Sequence, residues 1–270
     1  MPELPEVAAL ADFLDRRLRG AVVTKIQLVS FAVLKTADPP FSALEGRTVT
    51  GVRRFGKFVC LEADGLYFVF HLARAGWVRF TEAPTGVALK MGKGLIAVRL
   101  LLSGDSGPVG LDLTEAGTKK SLAVYVVRDP HDVPGIAALG PDPFSPGFDV
   151  DALAAILASS SQQIKGLLRS QSVIAGIGNA YSDEILHAAK TSPFAIAKAL
   201  DRDAVQQLYS AIHSVLGTAL QEAQGKAPSE LKDAKRSHMR VHARTGEACP
   251  VCGDIIREVS FADTALQYCP

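Results

Sequence analysis

Between residues 5 and 19, Val7, Leu10, Leu14 and Leu18 fall on one stripe at helical spacing, which predicts an amphipathic helix. Glu6 sits in its first turn and Arg16, Arg17 and Arg19 in its last, so both ends complement the helix dipole, and Gly20 follows as a stop. The period then changes. Short runs rich in β-branched and aromatic residues occupy 22–29, 48–55, 58–62, 66–71, 77–80, 96–102 and 122–127, punctuated by Gly, Pro and Asp. Many short strands with turn signals between them predict a β-sandwich or a barrel-like pair of sheets. Residues 128–151 hold five prolines and little periodicity, as a hinge does. Helical spacing returns at 151–158, 163–168, 179–189 and 201–224, with a tight turn at 176–179 and Asn179 as the N-cap of the third of these helices. Residues 226–244 are polar and read as a loop. The last stretch reads as a β-hairpin carrying Cys249, Cys252 and Cys269.

The pattern gives an α+β fold: an N-terminal helix with a β-sandwich over residues 1–133, a hinge over 134–150, a helical domain over 151–240 and a terminal hairpin over 241–270. At 270 residues, with 48% apolar and 21% charged positions, the chain has the balance of a globular protein. No run of eighteen apolar residues occurs, which argues against a membrane span. The start, Met1-Pro2-Glu3-Leu4-Pro5-Glu6, is acidic and lacks an apolar stretch, so it does not read as a signal peptide, and the expected compartment is the cytoplasm, at the nucleoid. Net charge is +1 and by itself points to no partner. Local clusters say more. Lys90, Lys93 and Arg99, then Lys119, Lys120 and Arg128, then Lys226, Lys232, Lys235, Arg236, Arg240 and Arg244 with His238 and His242, can build a basic face on a neutral protein, although any one cluster alone reads first as solvated surface.

The candidate chemistry begins at the first residues. Proline is small enough beside the initiator for Met1 to be removed, which frees a secondary amine at Pro2. An α-amine titrates near pH 8, so a useful fraction is neutral and nucleophilic at physiological pH. Attack on a sugar C1′ yields an iminium, an electron sink for further bond breaking, and the adjacent Glu3 is suited to protonating the ring oxygen. The plainer reading of the same segment is a helix entry, where Pro and Glu are common. Further along stand Arg53-Arg54-Phe55-Gly56-Lys57-Phe58, His71-Leu72-Ala73-Arg74-Ala75-Gly76, and Lys165 followed by Ser172-Val173-Ile174-Ala175-Gly176-Ile177-Gly178-Asn179-Ala180-Tyr181. The glycine turn would present backbone N–H groups and Asn179 to a phosphate at a helix N-terminus, with Lys165 adding charge. Cys249-x2-Cys252-x16-Cys269 has the spacing of three zinc ligands, and a hairpin of this size has too little core to fold without a metal.

Together these motifs closely resemble the formamidopyrimidine-DNA glycosylase/endonuclease VIII family. The resemblance implies a helix-two-turn-helix domain and a structural Zn²⁺ finger. It implies catalytic roles for Pro2, Glu3 and Lys57, the lysine contacting phosphate, and places Glu6, Arg74, Lys165, Asn179, Tyr181 and Thr264 at the DNA. Cys249, Cys252 and Cys269 become the metal ligands. The family pattern puts a fourth cysteine at position 272, beyond Pro270, which implies a cut chain, or else a fourth ligand from elsewhere. The implied function is a glycosylase with abasic-site lyase activity acting as a monomer on damaged double- or single-stranded DNA. The rival readings are a catalytically weak lesion binder and a structural or regulatory DNA-binding protein.

Several positions depart from the family's 8-oxoguanine members. Arg74 stands where they carry a Met. The downstream loop that should hold an Arg and a Phe reads as residues 112–117, with Thr114 and Ala116 in their places, and the finger's phosphate-gripping arginine is Thr264. The segment before Cys249 is short for a lid over an everted base. A charge-assisted hydrogen bond to phosphate is worth roughly 1.5–3 kcal/mol, so these losses point away from 8-oxoguanine. They favour abasic sites, where eversion is cheap, with oxidised pyrimidines and distorted lesions next.

Overall fold

A computed structural model describes residues 1–84, 89, 94–104, 107–116, 120–261 and 264–270, the side chains of Phe261 and Thr264 excepted. The chain divides into two compact units. The first holds Met1–Pro2, Glu6–Ala137 and Ala223–Lys232; the second holds Glu3–Pro5, Ala138–Glu222 and Asp233–Pro270.

In the first unit, helix α1 (Leu4–Leu18) precedes two four-stranded antiparallel sheets. One has the order β1 (Val22–Leu28), β6 (Ile96–Gly104), β7 (Gly107–Glu115) and β5 (Gly76–Glu82). The other has the order β2 (Val49–Phe55), β3 (Phe58–Ala63), β4 (Leu66–His71) and β8 (Ala123–Val127). The apolar stripe of α1 enters their core: Leu10, Leu14 and Leu18 join one buried cluster with Leu61, Phe68, Leu100 and Leu111. Burying each such side chain contributes about 1.5–3 kcal/mol.

The strand β7 is absent from the sequence reading. Its apolar positions, Val109, Leu111 and Leu113, alternate with Pro108, Gly110, Asp112 and Thr114, which dilute the signal. Yet it lies between β6 and β5 and is buried on both faces over most of its length. Asp112 survives burial because Arg99 on β6 clamps it with two bonds of 2.6 and 2.7 Å.

The second unit is helical: α3 (Val150–Ala158), α4 (Ile164–Arg169), α5 (Asn179–Ala188), the long α6 (Arg202–Ala223) and most of α7 (Leu231–Ser237), after a one-turn α2 (Pro134–Ala137) that closes the first unit's main segment. The β9 (Arg257–Phe261) and β10 (Thr264–Tyr268) pair forms the terminal hairpin. The sequence reads residues 231–237 as loop because Leu231 is the one strongly apolar residue of LKDAKRS; it is also the one buried there, and apart from Ala234 the rest of the helix is polar. The N-cap of α5 is Gly178, and Asn179 is the first helical residue, not the cap. Ahead of it, Gly176 has φ +90° and accepts a backbone bond from Leu4 at 3.0 Å, and a β-carbon on it would lie 2.8 Å from the Leu4 side chain. Glycine is thus required both by the left-handed backbone and by the close approach of the N-terminal segment.

Candidate active site and metal centre

Pro2 is buried in the first unit and lines, with Glu6, Leu10, Leu72, Trp77 and Leu231, a cavity of about 10 Å³. That is room for about one water. Glu6 is buried in the first turn of α1. Lys57 occupies the two-residue turn joining β2 and β3, with Gly56 before it at φ +52°, the positive φ that a hairpin turn of this length needs at its first central position. Lys57 is buried too, and burial together with its charge pushes the neighbouring His71 down to about 4, so that imidazole is neutral at physiological pH.

The loop after β4 turns at Ala73, φ +51°, and carries Arg74 exposed at its tip. Thr114 does not sit in a loop: it is a strand residue of β7 opposite Trp77, 9% exposed, and its hydroxyl donates to the Trp77 carbonyl at 3.0 Å. Ala116 follows, exposed, and donates its N–H to the Ala75 carbonyl. Of the basic clusters, Lys90, Lys93 and Lys119 fall outside the described residues, as does Gly117.

In the second unit, the N-terminus of α5 holds an anion, and it is Glu3. Its carboxylate is 2% exposed and accepts from the backbone N–H of Gly178 at 2.6 Å, Ala180 at 3.0 Å and Tyr181 at 3.3 Å. Partial positive charge at a helix start and converging N–H donors stabilise any carboxylate or phosphate placed there. These three donors, expected to meet a DNA phosphate, are therefore engaged by the protein's own residue. Lys235 on α7 completes the cage: Nζ is 3.2 Å from Glu3 Oε1 and 4.6 Å from the centre of the Tyr181 ring. Lys235 appears in the sequence only as one cation in a polar run, and 232 positions separate it from Glu3, so no local signal marks it.

Three residues expected at the DNA have partners within the protein. Tyr181 is fully buried, its hydroxyl 3.4 Å from His238 Nε2. Lys165 is 5% exposed, with its ammonium bonded to Asp183, to the Ser182 hydroxyl at 3.0 Å and to the Asn179 carbonyl at 3.3 Å. Burial holds Lys165 below the ordinary lysine value, and the Asp183 carboxylate opposes that shift. Asp183 also meets His242 Nδ1 at 2.7 Å. Asn179 uses its amide to donate to the Ala265 carbonyl at 2.8 Å, tying α5 to β10. Thr264 opens β10, and its side chain is outside the described set.

The three C-terminal cysteines converge as their spacing requires. Their sulfurs lie within 4.8 Å of one another, and Cys252 and Cys269 are 3.2 Å apart. Thiolates around a tetrahedral zinc, each about 2.3 Å from the metal, lie at comparable separations, so the donor set fits that ion. Burial pushes the Cys249 thiol up, but hydrogen bonds from the Cys252 and Val251 backbone, from His187 and from Cys269 outweigh it and bring it down to about 6. Cys269 is pushed up to about 12, by its bond to Cys252 first and by burial second. One sulfur of the three is thus poised as a thiolate, the form that binds metal.

Comparisons with known proteins identify the family. The model of the formamidopyrimidine-DNA glycosylase N-terminal domain matches residues 1–106, and that of the formamidopyrimidine-DNA glycosylase H2TH domain matches residues 139–229. A formamidopyrimidine-DNA glycosylase of Moorella thermoacetica is 34% identical over 271 residues, covering 96% of this chain and 94% of that protein. An uncharacterized formamidopyrimidine-DNA glycosylase-like protein of Mycobacterium tuberculosis is 54% identical over 133 residues, 49% of this chain and 83% of its own length. The crystal structure of the MutM (Fpg) protein from Thermus thermophilus superposes with a TM-score of 0.82 at 26% identity, covering 100% of this chain and 97% of that one. An N-terminal helix on a β-sandwich, a helical domain built round a glycine turn, and a three-cysteine hairpin, matched along the chain by these relatives, place this chain in the formamidopyrimidine-DNA glycosylase family.

Proposed function

We propose that the chain is a base-excision DNA glycosylase that also cleaves abasic sites, with the secondary amine of Pro2 as nucleophile. The observation that carries this is the carboxylate that follows the proline in the chain: Glu3, buried, with three N–H donors and an ammonium around it. Removal of Met1 exposes the amine. Its lone pair forms the N–C1′ bond as the glycosidic bond breaks, and the proton then lost from the nitrogen goes to the departing base. The C1′–O4′ bond then opens, O4′ takes a proton and an iminium forms at C1′. Loss of a C2′ proton sends an electron pair to expel the 3′-phosphate, with the iminium as the sink. Glu3 and Lys235, in direct contact, form the pair that carries the proton for O4′. Lys57 neutralises a backbone phosphate, and Arg74, exposed at its loop tip, fills the gap left by an everted nucleotide by stacking and cation–π contact.

Cys249, Cys252 and Cys269 hold a zinc ion that fixes the hairpin and takes no part in the chemistry. The protein works as a monomer on damaged double- or single-stranded DNA, in the cytoplasm at the nucleoid. Among the described residues no helix is long and apolar enough to cross a membrane.

The substrate follows from what the DNA-facing positions lack. Thr114 is turned to the Trp77 carbonyl and Ala116 is a methyl group, so neither offers a wedge that could replace a stacked base. Eversion of a paired base costs a few kcal/mol, and an abasic nucleotide avoids most of that cost. Single-turnover cleavage of an abasic duplex is expected to exceed that of an 8-oxoguanine:cytosine duplex by about tenfold or more. A rate on 8-oxoguanine equal to or above the abasic rate overturns the substrate assignment and leaves the nucleophile untouched.

A further inference from the structure

The three cysteines have a fourth neighbour on a different element. His187 lies in the last turn of α5, and its Nε2 is 3.2 Å from Cys249 Sγ across 62 positions of sequence. Its other ring nitrogen, Nδ1, is buried and has no hydrogen-bond partner among the described residues. A histidine at a helix C-terminus ordinarily serves the helix, turning toward the last carbonyls. Here the ring nitrogen is directed at a sulfur instead.

The tautomer follows from the cost of the alternative. A proton on Nδ1 would bury an unsatisfied donor and set the Nε2 lone pair against the lone pairs of the sulfur. A buried donor left unpaired is the more expensive arrangement. A proton on Nε2 points at the sulfur and leaves on Nδ1 only an unused acceptor. Cys249 is itself buried, and a second donor, the Val251 N–H, reaches the same sulfur at 3.5 Å. The sulfurs that lie within 4.8 Å of one another are those of the three cysteines, and His187 is outside that set. The ring therefore contacts a ligand atom rather than the metal position.

We propose that His187 is a positioning residue of the zinc centre: its Nε2–H donates to the Cys249 thiolate, drawing charge from that sulfur and fixing its direction toward the metal. This rests on the reading of the three cysteines as a zinc site. A hydrogen-bonded thiolate is a weaker nucleophile toward external electrophiles, and a metal ligand held by an outer partner is slower to leave. Loss of such a partner commonly changes metal affinity by about 10- to 100-fold. A cavity of about 710 Å³, lined by His187, Thr191, Pro193, Cys252 and Tyr268 among others, gives reagents access to the cluster.

The test compares the full chain with His187→Phe, which keeps an aromatic ring and removes the donor, and His187→Gln, which keeps an N–H donor without the ring. Zinc content is measured by elemental analysis, zinc release by transfer to a chromogenic chelator, and Cys249 modification by N-ethylmaleimide followed by peptide mass spectrometry. All three proteins should carry one zinc. His187→Phe should release it about tenfold or more faster and alkylate Cys249 correspondingly faster, with His187→Gln between the two. In the cobalt-substituted proteins the sulfur-to-metal charge-transfer band should move in His187→Phe and stay near its original position in His187→Gln. Equal release and alkylation rates in the starting protein and His187→Phe overturn the proposal. So does a folded His187→Phe that binds no zinc, which would make His187 a ligand. A starting protein that binds no zinc fails at the first measurement and refutes the zinc reading itself, together with what rests on it.

Discussion

Pro2→Gly should lower single-turnover cleavage of an abasic duplex by about a hundredfold while leaving affinity for the same DNA within a factor of a few. Two physical differences act together. A secondary amine condenses to an iminium that is permanently cationic, whereas the primary amine of glycine gives an imine that must first be protonated to withdraw electrons. Glycine also removes the ring that restricts the backbone at this position, so the nucleophile loses its fixed direction. Misplacement of a reacting group by about 1 Å is enough to cost on the order of 10² in rate. A protein that retains Met1 should show no borohydride-trapped adduct at all, because its Pro2 nitrogen is an amide without an available lone pair. Cleavage by Pro2→Gly at the unaltered rate would remove proline from the mechanism.

Asp183→Ala should destabilise the second unit by about 3–5 kcal/mol. The substitution leaves the Lys165 ammonium buried without its carboxylate and takes the partner of His242 Nδ1 as well. The double variant Lys165→Met/Asp183→Leu should recover most of that loss, since replacing both members of a buried pair with apolar groups avoids the stranded charge. Urea denaturation followed by far-UV circular dichroism reads both effects. A loss under about 1 kcal/mol for Asp183→Ala would mean that the pair is solvated in solution.

Much of the fold is legible because burial and period coincide. The stripe Leu10, Leu14 and Leu18 marks α1, and the seven β-branched and aromatic runs correspond to β1 through β6 and β8. Reading fails where another interaction makes a residue tolerable in an unexpected place. Asp112 and two small or turn-forming residues disguise β7, and only the Arg99 clamp from a neighbouring strand makes the acid compatible with a buried position. The helix α7 is polar almost throughout, so no period announces it.

The candidate site divides the same way. Pro2, Glu3 and the cysteine spacing stand in the sequence as contiguous or closely spaced motifs. The partners of those residues do not. Glu3 meets the glycine turn across 175 positions and Lys235 across 232, and His187 reaches Cys249 across 62. The glycine turn reads in the sequence as an anion-binding helix start, and the anion held there is internal. Lys165 is the complementary case: a lysine in a DNA-binding motif reads as a phosphate ligand, while the aspartate four residues after Asn179 already holds its ammonium.

The central claim is that the N-terminal proline is the atom bonded to DNA. Abasic duplex trapped on the protein with borohydride, digested and mapped by tandem mass spectrometry, locates the adduct directly. The predicted result is one modified peptide, beginning at Pro2, with the reduced sugar fragment on its α-nitrogen and Met1 absent. An adduct on a lysine side chain, at Lys57 or Lys235 or elsewhere, with an unmodified Pro2 peptide recovered in full, would contradict it.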